Sequence, residues 1–294
     1  MKLGVELMAT LTSDWFGRRS FWGTARFVFL VGLAIVTLVP FAFMLSTAFT
    51  PRSDVWHIPH YWLPPKFTFD NFTYVLFGAQ FPMFRWLLNS LVVATATTVV
   101  VVTVDALAAY GFARLKMPGR DFLFGFILLS LMVPIAVTLI PIFLLMRDLH
   151  FLNTYNALVW PAAANAFGVF LLRQFFMTIP VELEEAAHLD GAGKLRIFWS
   201  IDLPLVRNAL VTLALLTWLV SWNDYFWPVI ALTDENSFTS PVAIVYVRGI
   251  SGGLPDLGPL MAVATLIVLP PFLFYLIFQR RIREAVATTG LAGR

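Results

Sequence analysis

Apolar residues occur in six long stretches separated by short polar segments. Each stretch holds about 20 residues, the length that an α-helix needs to cross a hydrocarbon core of roughly 30 Å. The stretches are 27–49, 86–109, 122–146, 149–172, 208–232 and 257–279. We therefore predict an all-α membrane protein with six transmembrane helices in one domain, 27–279, between an N-terminal segment, 1–26, and a tail, 280–294.

Prolines interrupt several of these stretches, among them Pro134, Pro141, Pro161, Pro228 and Pro270. Neighbouring helices can satisfy the carbonyls that such prolines leave free, so we expect kinked helices rather than broken ones. Only Arg147 and Asp148 separate the third stretch from the fourth, which predicts a tight helical hairpin.

Composition and charge agree with this reading. The chain is 59% hydrophobic and 13% charged, whereas a soluble domain carries about 25% charged residues. The lack of cysteine excludes disulfides, thiolate metal sites and cysteine nucleophiles. His57 and His60 have Pro59 between them and no further ligands nearby, so we predict no metal site. The net charge of +3 comes from basic residues in short loops, which indicates membrane orientation rather than nucleic-acid binding.

The basic residues are unequally divided between the two sides of the membrane. The N-terminal segment, the second loop, the connection 173–207 and the tail hold fifteen of the 20 Lys and Arg residues. The alternate loops hold five: Arg52, Lys66, Arg85, Arg147 and Arg248. Because cytoplasmic loops carry the excess of Lys and Arg, we predict that both termini are cytoplasmic.

The connection 173–207 predicts two short helices around a glycine turn. Its N-terminal signals are Thr178 as N-cap, Pro180 in the first turn and the acidic residues Glu182, Glu184 and Glu185. Gly191 and Gly193 can end the first helix in a left-handed conformation, and Pro204 ends the second. The first helix could lie on lipid headgroups. Its acidic start would be repelled by anionic lipid, so we favour a helix that docks into a basic cleft of a protein.

A spaced motif in this connection resembles a known family. Glu185-Ala186-Ala187, then Gly191, then Ile201, Leu203 and Pro204 resemble the EAA signature of ATP-binding-cassette (ABC) importer permeases. NSLVVA from Asn89, AAYGFARLKMPGRD from Ala108, LNTYNAL from Leu152 and SWNDYFWP from Ser221 look most like the sugar-importer branch that includes the maltose permeases. The chain departs from the pattern at Asn208, where relatives often carry proline, and at His150, where many carry glycine.

The resemblance implies a type I ABC importer permease fold with a cytoplasmic EAA coupling helix. It implies ATPase coupling through Glu185, Ala186, Ala187, Asp190, Gly191, Ile201, Leu203 and Pro204. It also implies four kinds of partner: a homologous second permease, two cytoplasmic ATPase subunits, an extracytoplasmic solute-binding protein and a sugar substrate. The chain lacks a phosphate-binding G-x-x-x-x-G-K-[ST] segment. We therefore expect no catalytic residues and no cofactor here, with ATP and Mg bound by the ATPase.

Two aspartates stand out inside the apolar stretches, where a charge costs about 2.5–3.5 kcal/mol on insertion scales. We expect Asp105 to have a structural role, snorkelling or paired near Arg114 and Lys116. Asp224 lies beside Trp222 and Asn223, and hydroxyl-bonding groups next to aromatic rings suit a sugar path.

The same residues have structural alternatives. Trp222 could belong to an interfacial aromatic belt, and Asn223 could be a helix-packing polar group. Asn89 could face the solute path, but it could equally cap a helix.

Together these observations predict a permease subunit of a binding-protein-dependent carbohydrate importer in the cytoplasmic membrane of a bacterium or archaeon, with a di- or oligosaccharide as substrate. The rival hypothesis is a proton- or sodium-coupled secondary carrier. Such a carrier needs intramembrane ionisable groups or broken-helix ion sites, and the chain shows only two aspartates and no evident repeat.

The predicted topology can be tested with single cysteines, because the chain has none of its own. We expect a membrane-impermeant thiol reagent to modify Lys66→Cys in intact cells and to spare Lys194→Cys until the membrane is permeabilised. Labelling in the reverse order would contradict the assigned orientation.

Overall fold

A computed structural model describes the backbone of residues 21–78, 80–250 and 256–291, and within this part all regular elements are helical. Most of the predicted N-terminal segment and the end of the predicted tail lie outside the described residues. The first five helices are α1 Phe21–Ala48, α2 Asp70–Phe77, α3 Met83–Arg114, α4 Arg120–Ser130 and α5 Ile135–Asp148.

The remaining helices follow after a loop. They are α6 Tyr155–Val159, α7 Ala166–Met177, α8 Val181–Leu189, α9 Lys194–Leu205, α10 Arg207–Asn223, α11 Phe226–Ala231, α12 Ser240–Ile250 and α13 Leu257–Leu291. A short 3-10 turn at Trp160–Ala162 extends α6, and another at Glu235–Ser237 precedes α12.

Three of the six apolar stretches correspond to straight helices, and the other three contain helices that are bent or interrupted. Gly23–Ala48, Met83–Arg114 and Leu257–Gln279 are each long and apolar enough to cross a membrane. The chain bends by 97° between α4 and α5, by 46° between the α6 segment and α7, and by 77° between α9 and α10. By length and composition, each bent pair could count as one span, which gives up to six. The third bend separates the connection 173–207 from the fifth apolar stretch, which α10 and α11 form.

The expectation of kinks without breaks is wrong at Pro134. Residues 131–133 leave the helix, and Pro134 has an extended backbone (φ −62°, ψ 137°) as the residue before α5. Proline has no N–H and disfavours helical geometry in the residue before it, so two helices form instead of one. Pro141 and Pro270, by contrast, lie inside α5 and α13 as expected.

The hairpin turn is longer than the two charged residues suggested, because α5 ends at Asp148 and α6 begins at Tyr155. His150 (φ 58°) and Asn153 (φ 62°) both have left-handed backbones there. That conformation favours glycine, so at position 150 this chain keeps a histidine in a backbone geometry that suits glycine.

The described residues form two compact units. In the first, which includes residues up to 72 and Leu257–Ala262, the loop after α1 is held by Asn71. Its Nδ2 donates to the carbonyls of Ala48 and Thr50, both at 2.9 Å. The ring of Phe49 stacks on that of Phe67 with 4.4 Å between centroids.

In the second unit, formed by 73–256 and 263–294, α3 packs against α7 and α10. This contact contains a buried apolar cluster. Helix α3 contributes Ala106, Ala109 and Tyr110, and the other helices contribute Leu172, Phe176, Phe198 and Leu213. Small residues let neighbouring helices approach closely in apolar surroundings.

Asp105 is fully buried at this contact, and its partner differs from the expected one. Its Oδ1 accepts a hydrogen bond from the backbone N–H of Asn165, at 2.9 Å, just before α7 begins. The structural role is therefore present, but it serves the start of α7. Arg114 pairs with Glu184 instead.

Gly168 provides a test of this packing. A Cβ at Gly168 would overlap the Asp105 carboxylate, whereas one at Gly125 in α4 meets open space. We expect Gly168→Ala to lower the free energy of unfolding of the purified chain by about 1–3 kcal/mol, the usual cost of overpacking, and so to lower its melting temperature. Gly125→Ala is the matched control and should not destabilise. Equal melting temperatures for the two variants would contradict the close α3–α7 approach.

Candidate functional site

The helix pair α8 and α9 surrounds the glycine turn that the sequence predicted. The N–H of Gly191 donates to the carbonyl of His188 at 3.0 Å, and the N–H of Ala192 donates to that of Ala187 at 2.9 Å. This pair of bonds is a Schellman motif, which requires a left-handed residue after the helix. Gly191 has φ 81°, as predicted.

One predicted cap is wrong. Thr178 ends α7, where its hydroxyl donates to the carbonyl of Phe175 at 2.8 Å, and Pro180 precedes α8 without a side-chain cap. The turn between α7 and α8 is so short that the hydroxyl of Thr178 is used by the earlier helix.

Most of the predicted coupling residues lie on an exposed surface. Glu185, Ala186, Asp190, Gly191 and Pro204 are exposed, and Ala187, Ile201 and Leu203 are partly buried. Leu203 packs against the apolar cluster under α3, so it supports the surface from below. Large apolar side chains are exposed around the motif: Leu183, Leu189, Leu195 and Trp199. A patch of acidic and apolar residues of this kind is typical of a protein interaction site.

Glu184 points away from this surface, although the sequence analysis treated the three glutamates alike. Its Oε1 lies 2.8 Å from Nε of Arg114 at the end of α3, and both side chains are largely buried. The Nη2 of Arg114 also donates to the carbonyl of Ile179. The ion pair therefore ties α8 to the end of α3.

Two further polar residues lie beneath α8 and α9. Asp202 is fully buried, and neither of its carboxylate oxygens has a hydrogen-bond partner within the described part of the chain. Burial raises the pKa of Asp202 to about 6, the charge of Glu184 acts in the same direction, and Arg114 opposes it. Because the folded-state pKa is raised, the contribution of Asp202 to stability is lost as the pH rises through about 6. The hydroxyl of Tyr110 donates to the Lys194 carbonyl at 3.3 Å.

Sequence reasoning missed Arg114 and Tyr110 as supports of the coupling helices, and it missed the buried Asp202 beneath them. Arg114 was considered only for membrane orientation and as a neighbour of Asp105. The sole signal was the position of Asp202, two residues before Pro204 and inside the spaced motif. The pairing itself needs α3 and α8 to be brought together, and that contact is not visible in a one-dimensional pattern.

The three residues proposed for the solute path separate in the structure. Trp222 is buried and stacks on Trp218 with 5.2 Å between ring centroids. Asn223 is exposed, and its Nδ2 donates to the carbonyl of Leu219 at 2.7 Å. Asp224 lines a cavity and accepts hydrogen bonds from the backbone amides of Phe226 and Trp227. Consecutive helical residues point in different directions, so the three cannot share one face.

Asn89 is neither a cap nor an exposed path residue. It is buried inside α3, where its Nδ2 donates to the carbonyls of Asn236 and Phe238, both at 2.9 Å. Its Oδ1 accepts from the hydroxyl of Tyr155 at 2.7 Å. Asn89 therefore anchors the loop that follows α11.

Comparison with known proteins gives consistent results. The family described as "Binding-protein-dependent transport system inner membrane component" matches residues 106–288. The sn-glycerol-3-phosphate transport system permease protein UgpE of Yersinia pestis bv. Antiqua is 34% identical over 255 residues, covering 85% of this chain and 90% of the relative. A probable ABC transporter permease protein of Pyrococcus horikoshii is 33% identical over 254 residues, covering 84% of this chain and 90% of that protein.

A solved structure shares the fold. It belongs to a bacterial ABC transporter involved in the import of the acidic polysaccharide alginate, and it is 25% identical with a TM-score of 0.81. The similarity covers 90% of this chain and 98% of the other.

The buried ion pair gives a testable contrast between neighbouring glutamates. We expect Glu184→Gln to leave Arg114 buried without its charge partner and to lower the stability of the purified chain by up to about 3 kcal/mol. Glu185→Gln, at an exposed position, should change the free energy of unfolding by no more than about 0.5 kcal/mol. Thermal unfolding in detergent measures both, and a larger loss for Glu185→Gln would contradict the assigned pairing.

Proposed function

The chain belongs to the family of binding-protein-dependent transport system inner membrane components, and on that premise we propose that it forms one half of the path of an ATP-dependent carbohydrate importer. It is a multi-pass permease subunit and not an enzyme. ATP and Mg bind to a separate ATPase chain. The exposed Schellman turn at Gly191 carries this proposal, because it presents the coupling motif as a rigid, unobstructed surface.

The chemistry of that surface suits an ATPase cleft. Glu185 and Asp190 supply negative charge for a basic cleft, and Leu189, which is 89% exposed, supplies an apolar contact. Ala186 and Gly191 add no bulk, so the backbone of the partner can approach closely. Two such surfaces, one from each permease of the pair, would each meet one ATPase subunit.

The remaining partners follow from the same premise. A homologous permease completes the pore, and an extracytoplasmic binding protein delivers the solute. Both termini and the coupling helices face the cytoplasm, as the distribution of basic residues supports. Asn223 and Asp224 contribute polar groups to the solute path. Trp222 is buried behind them, where it packs against Trp218. Asn89 is withdrawn from the path, since its amide is fully used within the protein.

The solute is a carbohydrate or a related polyol. Two of the similar proteins belong to transporters, one for sn-glycerol-3-phosphate and one for alginate, and both of these solutes are polyhydroxylated. Hydroxyl-rich solutes require hydrogen-bonding side chains in the path and apolar surfaces for ring faces. Ser221 and Asp224 supply hydrogen-bonding groups, and Leu213, Leu216 and Val220 of the same cavity supply apolar surfaces.

Two neighbouring glycines test the coupling assignment. Gly191 has φ 81° and Gly193 has φ −74°, and a Cβ at either position meets open space. We expect Gly191→Val to strain the left-handed turn and to obstruct docking. Membrane insertion should persist, because the spans are stabilised by packing away from this loop. Gly193→Val, which suits an extended backbone, should cause much less damage.

We would purify the complex in detergent and measure two quantities: the amount of ATPase subunit that it retains and the rate of solute-stimulated ATP hydrolysis. Gly191→Val should lose most of both, and Gly193→Val should retain at least half. If Gly191→Val complexes keep wild-type ATPase content and stimulated hydrolysis, α8 is not the docking helix. A preparation that never contains a stoichiometric ATPase would support a secondary carrier instead.

A further inference from the structure

A cavity of 320 Å³ lies between α3, the start of α7 and α10, entirely within the second unit. Its volume is at the lower end of the range for small-molecule sites, which suits one sugar ring or a polyol. The lining residues that matter here are Thr97, Val101, Leu213, Thr217, Ser221 and Asp224.

Thr97 is the strongest indication of a ligand. Its side chain is only 3% exposed, and its hydroxyl has no hydrogen-bond partner among the described residues. The adjacent Thr98 behaves differently, since its hydroxyl donates to the carbonyl of Ala94 at 2.7 Å, as threonines in apolar helices commonly do. A buried hydroxyl without a partner carries a desolvation penalty, which a bound hydroxyl group would remove.

The other polar groups of the cavity are arranged around the same space. Thr217 and Ser221 lie four residues apart on α10 and so share one face of that helix. Asp224 follows at the end of α10, and Val101 and Leu213 form apolar walls. Hydroxyls between apolar walls match a molecule that has hydroxyl groups along its edges and C–H groups on its faces.

The charge of the cavity distinguishes between solutes. Among the described residues that line the cavity, Asp224 alone is ionisable, and none is Lys, Arg or His. A phosphate or carboxylate would therefore meet a carboxylate without a balancing cation. The named relatives, by contrast, act on sn-glycerol-3-phosphate and on an acidic polysaccharide.

We propose that this cavity is a solute subsite for a neutral, polyhydroxylated molecule and that it disfavours anionic sugars. The inference rests on the proposed function, since it names the class of solute that this half of the path accepts. Thr97, Thr217 and Ser221 exchange hydrogen bonds with hydroxyl groups of the solute. Asp224 accepts hydrogen bonds and repels anions.

The absence of native cysteine allows a direct experiment on the assembled complex. Ser221→Cys would be treated with methanethiosulfonates carrying a neutral hydroxyethyl or an anionic sulfonatoethyl group, and each rate would be divided by the rate with a free thiol. We expect the neutral reagent to react about tenfold faster than the anionic one, the scale of one nearby charge in a partly hydrated site. Adding Asp224→Asn should reduce the preference to about twofold or less.

Protection by solutes measures binding itself. Glucose or glycerol at equal concentrations should slow the neutral labelling of Ser221→Cys at least about threefold, and sn-glycerol 3-phosphate and glucuronate should not. Adding Thr97→Val, which keeps the shape and removes the hydroxyl, should abolish that protection. Thr98→Val is the matched control and should preserve it, because the Thr98 hydroxyl is already bonded within its helix.

The subsite is wrong if the thiol reacts with neither reagent, if the anionic reagent reacts equally fast, or if anionic and neutral sugars protect alike. Protection that survives Thr97→Val also contradicts it. The proposed function is judged separately, by ATPase retention in the same preparation. A complex that retains its ATPase but fails the labelling test therefore rejects the subsite alone, and a complex without ATPase rejects the transporter assignment.

Discussion

Broken helices in apolar surroundings need polar side chains at the breaks, and this constraint explains the two aspartates of the spans. Lipid offers no hydrogen bonds to a freed amide, so the protein must supply them. The carboxylate of Asp105 accepts from the amide of Asn165 where α7 begins. Asp224 accepts from amides at the start of α11. Asn153 accepts from the amides of Thr233 and Asp234 after α11 ends.

The same constraint separates structural from functional polar groups. Asn89 and Asp105 looked like possible path or charge-pairing residues, yet each is used by backbone elsewhere in the fold. The groups that remain unused are more informative. Thr97 lines a cavity and its hydroxyl has no partner, and the carboxylate of Asp202 lies buried under the coupling helices without one, within the part of the chain that the structure describes.

One helix carries residues of both functional regions. Thr97 and Arg114 belong to α3, which runs without a break from Met83 to Arg114. At a rise of 1.5 Å per residue, the two residues are about 25 Å apart along the axis. Arg114 pairs with Glu184 of α8, and Thr97 lines the cavity, so one unbroken helix connects the coupling surface with the cavity. Glu185 faces outward next to Glu184, because consecutive helical residues point about 100° apart.

The sequence by itself determined the class of the protein, its apolar stretches and its coupling motif. Long apolar runs, the spacing from Glu185 to Pro204 and the left-handed requirement of Gly191 are local properties that depend on near neighbours in the chain. Only the tertiary structure decided where the helices break, which glutamate of α8 is buried and which polar side chains of the spans remain free. Those outcomes depend on pairs such as Arg114 with Glu184 or Asp105 with Asn165, which are about 60 or more residues apart, and a local pattern carries no information on which distant partner satisfies a buried polar group.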